Sequence, residues 1–360
     1  MKTFDEVFID KTKYGVKVQT SEYGEQGKYI IIDQGRSQIA GYTDREEGVF
    51  EEVPVIIFGD HTRVVKYVDE PFFLGADGVK VLRSKDKSAN YKYLYYALKN
   101  TRIPNTGYNR HFKWLKEIQI NYPDSDKQVE IVGILDKVSD IIKKRENELS
   151  ALDNLIKARF VEMFGDPVEN TLNWKKDRVE SHIDLLLGYP FKSEEYVENG
   201  INICGGLIIM PQKIIWENCV HWSTTEGYED YLLNADDIVM ALDRPWISEG
   251  FKIAQVDKEH LPALLIQRTA RIRAIDVNQT YLYWCFINGG FDKHSNVTGS
   301  LVPHISAKDI KSFEIMLPPI ELQNQFADFV TQVDKLKVEV QKSLDELQTL
   351  FNSLMQQYFG

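Results

Sequence analysis

Cysteine is scarce in this chain. Cys204, Cys219 and Cys285 are the only three, and no two stand in a CxxC pair, which argues against a zinc knuckle or a disulfide framework. No apolar run approaches the ~18 residues that span a bilayer. The opening MKTFDEVFIDKTKYG lacks the layout of a secretory signal. The expectation is a reducing, cytoplasmic setting with no membrane partner. Cofactor motifs are missing as well: there is no GxGxxG fingerprint and no GxxxxGKS/T loop. The histidines are scattered and show no zinc-ligand spacing. Asp60 and Asp243 each close a strand-like run, without a second carboxylate placed to complete a nuclease metal site. The one Pro-Pro pair, in MLPPIEL, lacks the flanking Asp or Asn and aromatic of a methyltransferase amino-acceptor clamp. Catalysis therefore has no visible machinery, and the expectation is no bound cofactor and no metal.

Excess positive charge is also missing. The net charge is -11, which argues weakly against nucleic acid. Its distribution matters more, because residues 1–123 hold 19 Lys plus Arg against 17 Asp plus Glu. Binding depends on the local field rather than on the sum over the chain.

What is present is a repeat. LDNLIKARFVEMFGD at 152–166 and the final LQTLFNSLMQQYFG share one rhythm of apolar positions and end in an aromatic followed by Gly. Shifted by 195 residues, LKEIQINYP at 115–123 falls on IKSFEIMLP at 310–318, and Gln128 falls on Gln323. Further upstream the shift is 188, and KYLYYALKN at 92–100 matches TYLYWCFIN at 280–288. Several matches in one order imply an internal duplication.

Each repeat has a strand-rich part followed by a long helix. YIIIDQ, VPVIIFG, TRVVKYV and VKVLRS read as strands in the first copy, and DIVMALD, FKIAQVD and ARIRAID in the second. The helices are expected over roughly 127–164 and 321–358, each about 55 Å long. Positions 326, 329, 333, 336, 340, 344, 347, 351, 354 and 358 are all apolar. Their counterparts from 131 to 163 are apolar except Arg145 and Arg159. Steps of three and four with one extra four describe a coiled-coil seam with a stutter. So long a helix with a single apolar stripe needs a partner, and the other copy is the obvious one. Spacing alone leaves parallel and antiparallel pairing both open.

The order of these pieces resembles the specificity (S) subunit of type I restriction–modification systems, the HsdS family. The resemblance covers nearly the whole chain. It rests on EYGEQGKYIIIDQGRSQIAGYTD at 22–44, IIFGDHTRVVKYVDEPFFLGADGVKVL at 56–82, GYPFKSEEYVENG at 188–200, LDRPW at 242–246, LLIQRTARIR at 264–273 and LPPIELQNQF at 317–326. Three departures stand out. The chain begins almost at once inside the first domain, with little of the leading segment that many relatives have. VMALDRPW lacks the Gly usual near its Asp, and NVTGSLVPHIS has Ser300 and Pro303 where relatives tend to Gly-Ala/Ser and then a polar residue. The resemblance implies an α+β fold in which two strand-rich target recognition domains, 1–123 and 167–319, are separated by two conserved long helices, 124–166 and 320–360. Those helices would form an antiparallel coiled coil with an internal pseudo-two-fold. It also implies the partners: double-stranded DNA, two modification subunits using S-adenosylmethionine, and two restriction subunits using ATP and Mg²⁺. The chain itself would not be an enzyme.

Given that resemblance, the DNA-contact candidates are residues able to pair with base edges or phosphates. In the first domain they are His61, Thr62 and Arg63 in GDHTR, with Gln34 and Arg36 in DQGRSQ. In the second they are Tyr189, Lys192 and Ser193 in GYPFKS, then Arg244, Gln267 and Arg268. The loops before the long helices add Thr106, Asn109 and Arg110, and Thr298, Ser300 and His304. These loops read equally well as hinges. Two other functions fit the same composition: a two-domain adaptor binding two copies of a protein, and a nuclease with an unrecognised site. Salt-dependent duplex binding argues against the first, and absence of Mg²⁺-dependent cleavage by the pure chain against the second.

Overall fold

The computed structural model describes residues 1–75, 77–107, 109–295 and 303–360. The chain divides into two compact units. Unit 1 is Met1–Asn147 with Val340–Gly360, and unit 2 is Glu148–Glu339.

Unit 1 contains seven principal strands: β1 Phe8–Asp10, β2 Tyr29–Ile32, β3 Gly41–Thr43, β4 Val55–Gly59, β5 Val65–Val68, β6 Phe72–Leu74 and β7 Val79–Ser84. They form a four-stranded sheet of order β1-β7-β4-β5 and a three-stranded sheet of order β3-β2-β6. Unit 2 repeats this with β8 Ile183–Leu187, β9 Ile201–Cys204, β10 Val220–Trp222, β11 Ile238–Ala241, β12 Ile253–Gln255, β13 Ala263–Leu265 and β14 Thr269–Ala274. Its sheets run β8-β14-β11-β12 and β10-β9-β13. The topologies are the same strand for strand, down to the parallel pairings β2–β6 and β9–β13. The expected strands are all present. β1, β3, β6, β8, β9, β10 and β13 are additions that the structure supplies.

The central strands β4 and β11 are apolar without alternation because both of their faces are covered. Ile56 and Phe58 face the helical core, while Val55 and Ile57 face the core against the three-stranded sheet. In β11, Ile238 and Met240 face the helices and Val239 faces the other core. Each fully buried side chain of this size stabilises by about 1.5–3 kcal/mol.

After the last strand of each unit comes a short helix, α1 Tyr91–Lys99 or α3 Gln279–Asn288, with Asn90 or Asn278 as N-cap. A buried glutamine ties each cap to a long helix. Asn90 N donates to Gln128 Oε1 at 3.4 Å, and Gln128 Nε2 donates to the Pro123 carbonyl. Asn278 N donates to Gln323 Oε1 at 2.8 Å, and Gln323 Nε2 donates to the Pro318 carbonyl. Tyr93 Oη donates to Asn121 O and Tyr281 Oη to Met316 O at equivalent places. The duplication extends to individual hydrogen bonds.

The long helices are α2 Ser125–Phe164 and α4 Ile320–Phe359. In unit 1 the start of α2, through Ile131, Leu135 and Val138, shares a core with Phe351 and Met355 at the end of α4. In unit 2 the end of α2, through Ile156, Phe160 and Phe164, shares a core with Phe326, Val330 and Val333 at the start of α4. The pairing is antiparallel. The seam differs from the expected register in detail. Ile141 and its counterpart Leu336 are exposed at 42% and 50%. Phe160, Phe164 and Met355 are buried, rather than the expected Arg159, Met163 and Leu354. For Phe160, Phe164 and Met355 the reason is that each helix end packs on a sheet domain as well as on its partner, so the buried stripe there widens beyond a two-position seam. Arg159 is tolerated through its stem: the guanidinium lies over the Phe329 ring and pairs with Glu162. Among the described residues no helix is long and apolar enough to cross a membrane.

Candidate nucleic-acid interface

In each unit the chain leaves the central strand into a turn bearing an arginine in the left-handed region. Arg63 has φ 62°, and Arg244 has φ 47°. A side chain with a Cβ is strained there by about 1–2 kcal/mol, and such strain concentrates at functional positions. In unit 1 the turn is closed by Arg63 N donating to Gly59 O at 2.7 Å. Gly59 is required by space, since a Cβ there would lie 2.2 Å from Thr62 Oγ1.

The DQGRSQ loop braces this turn. Gln34 Oε1 accepts from His61 N at 3.2 Å, Gln34 O accepts from Thr62 Oγ1 at 2.6 Å, and Gln34 Nε2 donates to Asp77 O. Gln34, His61 and Thr62 are thus brought together, with much of the Gln34 amide committed to backbone groups. Arg36 is exposed on the same loop. Arg63 donates to Ile103 O at 3.3 Å and lines a recess of about 320 Å³ with Lys99 and Arg102. Those two cations were not evident from sequence because the repeat match KYLYYALKN marks a packed helix and not a site, and Arg102 lies just past it. Thr106, Asn109 and Arg110 lie on an exposed loop, with Thr106 Oγ1 3.4 Å from His111 Nε2. His111, fully buried, holds that loop to the turn through Nδ1, 3.0 Å from Asp60 O.

In unit 2, Arg244, Gln267 and Arg268 gather on one cavity of about 540 Å³ with Asp243, Lys252 and Leu207. Arg268 also has a left-handed backbone, φ 63°. Its guanidinium lies 3.2 Å from Asp243, and His304 Nδ1 lies 2.7 Å from the other Asp243 oxygen. Lys252 is buried and donates to Gly206 O. Burial, and then Arg244, push its ammonium below the usual lysine range. Lys252 and Leu207 carried no sequence signal beyond residue type. Tyr189 stands apart from this group, packed against Phe191, Tyr228 and Tyr231, while its backbone oxygen accepts from Gln267 N at 2.8 Å. Lys192 and Ser193 are exposed next to acids, Lys192 at 3.5 Å from Glu195. Thr298 and Ser300 lie outside the described residues. No group of three or more His, Cys, Asp or Glu suited to a metal occurs among the described residues.

Residues 2–151 and 188–348 match the family described as the type I restriction modification DNA specificity domain. The chain is 26% identical over 367 residues to the EcoR124I/EcoR124II specificity subunit of Escherichia coli, spanning 92% of this chain and 85% of that subunit. It is 25% identical over 304 residues to the MjaVIII specificity subunit of Methanocaldococcus jannaschii, spanning 76% and 71%. Against the EcoAI specificity subunit of Escherichia coli it is 34% identical over 179 residues, which is 47% of this chain and 29% of that subunit. Among solved structures, the type I S subunit from M. genitalium has a TM-score of 0.60 at 17% identity, covering 100% of this chain and 95% of that one. A chain from a structural study of complex assembly and conformational transition in the type I system has a TM-score of 0.51 at 16% identity, covering 100% and 95%.

Two like sheet domains on paired helices, each with a polar arginine-bearing turn, define a duplicated specificity protein. The chain belongs to the type I restriction–modification DNA specificity family, as an HsdS specificity subunit. Its role is sequence-specific DNA recognition within a complex with modification and restriction subunits, and it is a non-catalytic component.

Proposed function

We propose that each unit reads one half of a bipartite DNA target. Residues 1–123 and 167–319 are the two recognition domains, and the helices 124–166 and 320–360 set the spacing between the half-sites. The observation that carries this is the strand-for-strand repeat with a left-handed arginine, Arg63 or Arg244, after the central strand of each sheet. Around those arginines, Arg36, His61, Thr62, Gln267 and Arg268 supply the remaining base- or phosphate-pairing groups. The exposed loop residues Thr106, Asn109, Arg110 and His304 suit backbone contacts.

The duplicated helices offer two similar docking faces, one for each of two modification subunits. Exposed apolar residues recur at the 195-residue offset, Ile141 with Leu336 and Leu155 with Leu350, which supports docking twice by one mode. Lys143, Lys144 and Lys335 are exposed off the seam, whereas Lys337 is engaged by Asp153 at 2.5 Å. Two restriction subunits complete the assembly. S-adenosylmethionine, ATP and Mg²⁺ belong to the partners, and the setting is the cytoplasm.

The test is binding of duplex DNA by the complex with its modification subunits, scanned across sequence, together with native mass measurement. Salt-dependent binding to a split target and two modification subunits per chain are expected. Binding without sequence preference, or one modification subunit at excess, overturns the reading in favour of an adaptor.

A further inference from the structure

Leu207 is 94% exposed, the most exposed large apolar side chain among the described residues. A single exposed leucine on a mobile surface loop needs no explanation. This one is not loosely held. Three residues before it, Cys204 at the end of β9 is fully buried, and immediately after it Ile208 and Ile209 are buried at 4% and 0%. Ile208 N and Ile209 N both donate to Gly205 O, at 3.1 and 3.2 Å. The buried Lys252 ammonium clamps Gly206 O from below. Gly205 approaches its neighbour so closely that a Cβ there would lie 3.0 Å from Ile266 Cγ2. The backbone of the tip is fixed on both sides, and the leucine is held out in water.

Its surroundings state what it is held out for. Leu207 lines the same cavity as Arg244, Gln267 and Arg268, so a rigid apolar tip stands among cationic and amide groups. That is the combination by which proteins push an apolar wedge between base steps while cations hold the flanking phosphates. The equivalent loop of unit 1, after β2, carries the exposed Arg36 instead. In unit 1 the loop touches the turn that follows the central strand, through Gln34 and Thr62, and in unit 2 it is held by the returning arm of that connection, through Lys252 donating to Gly206 O. The two units thus present different tips at one place.

We propose that Leu207 is an apolar wedge that enters the base stack of the half-site read by unit 2. The proposal rests on the two-reader assignment above. The wedge unstacks one step, and a flexible pyrimidine–purine step yields most readily. Unit 2 therefore selects on deformability at a position its polar groups do not pair with, and unit 1 does not.

The experiment uses the full chain assembled with its modification subunits, on target duplexes in which 2-aminopurine replaces single bases other than the methylated adenines. The expected result is a several-fold rise in 2-aminopurine fluorescence at one step of the unit 2 half-site and none in the other half. Leu207→Ala abolishes the rise and weakens target binding about tenfold, while Leu207→Met keeps both. If Leu207→Ala binds the target with unstacking unchanged, the wedge is overturned. If it instead weakens assembly with the modification subunits and leaves stacking alone, Leu207 is a protein contact and the wedge is again overturned. Absence of any sequence preference in the wild-type complex removes the two-reader assignment, and the wedge with it.

Discussion

Phe160, near the end of α2, meets Phe326, near the start of α4, edge to face with ring centroids 5.4 Å apart and planes at 80°. Phe164 meets the same ring at 5.5 Å. Shifted by the repeat, Phe160 becomes Met355 and Phe326 becomes Ile131, and those two share the core of unit 1. One packing solution has been filled with aromatics in one unit and aliphatics in the other. Phe160→Ala removes a fully buried ring and is expected to cost about 3–5 kcal/mol in unit 2. Two units make a single transition an unsafe assumption, so a local probe is needed. Trp284 lies 6.4 Å from Phe326, and its fluorescence transition should shift to lower denaturant.

Arg63 and Arg244 make a prediction about separability. Arg63→Ala should relax preference in one half-site only, and Arg244→Ala in the other, by about 1–3 kcal/mol at the base concerned if the contact is to a base edge. If it is to phosphate, binding falls evenly across sequences and the salt slope drops by about one. Glycine in place of either arginine removes the left-handed strain, so Arg63→Gly and Arg244→Gly should stabilise the fold by about 1 kcal/mol while losing the same recognition. Methylation patterns of the assembled complex, read beside thermal unfolding of the chain, check both halves of this expectation.

The duplication, the two long helices and half of the principal strands were legible because each is written in periodicity or in recurrence at fixed offset. Gln128 and Gln323 matched in sequence, and they make the same cap-binding contacts in the fold. The seam was legible at Ile131, Val138, Ile156, Phe326, Val333 and Phe351, which are buried, but not in the middle of the helices, where Ile141 and Leu336 lie on the expected stripe and are exposed. Where a sheet joins the contact, as at Phe160 and Phe164, burial follows the third partner, which helix periodicity does not encode. The candidate site was half legible. GDHTR and LDRPW marked turns after apolar strands, but the left-handed backbone of Arg63 and Arg244 depends on how the turn closes. Lys252 and Leu207 reach their site from other strands through sheet pairing, and a linear reading does not bring them together.

Tyr93 gives a prediction in pH. Its hydroxyl is buried and donates to Asn121 O at 2.8 Å, and burial pushes its ionisation up to about 12. The folded-state value is raised above the unfolded value of about 10, so its contribution is fully present below pH 10. It is lost as pH rises from 10 through 12, where the unfolded chain releases the proton first. Tyr93→Phe should lower stability at neutral pH by about 1 kcal/mol for the lost hydrogen bond. It should also flatten the fall of unit 1 stability between pH 10 and 12, measured by denaturant titration at each pH.

Asp243 sits between two groups of the unit 2 interface, 2.7 Å from His304 Nδ1 and 3.2 Å from the Arg268 guanidinium. Arg268 is 73% exposed in its side chain, so the ion pair itself adds little stability, about 0–1 kcal/mol. Its consequence is for recognition. On the proposed DNA-facing surface a carboxylate repels phosphate, and the role that its contacts support is to aim Arg268 and hold His304. Asp243→Asn keeps the shape, removes one negative charge and releases the guanidinium. Thermal unfolding should barely move. Non-specific duplex affinity should rise, with a salt slope steeper by about one because one more phosphate interaction becomes available. Discrimination in the unit 2 half-site should fall while the unit 1 half-site is read as before. The measurement is binding of the complex with its modification subunits to target and to scrambled duplex at several salt concentrations. An unchanged ratio of the two affinities would show that Asp243 does not position Arg268 for reading.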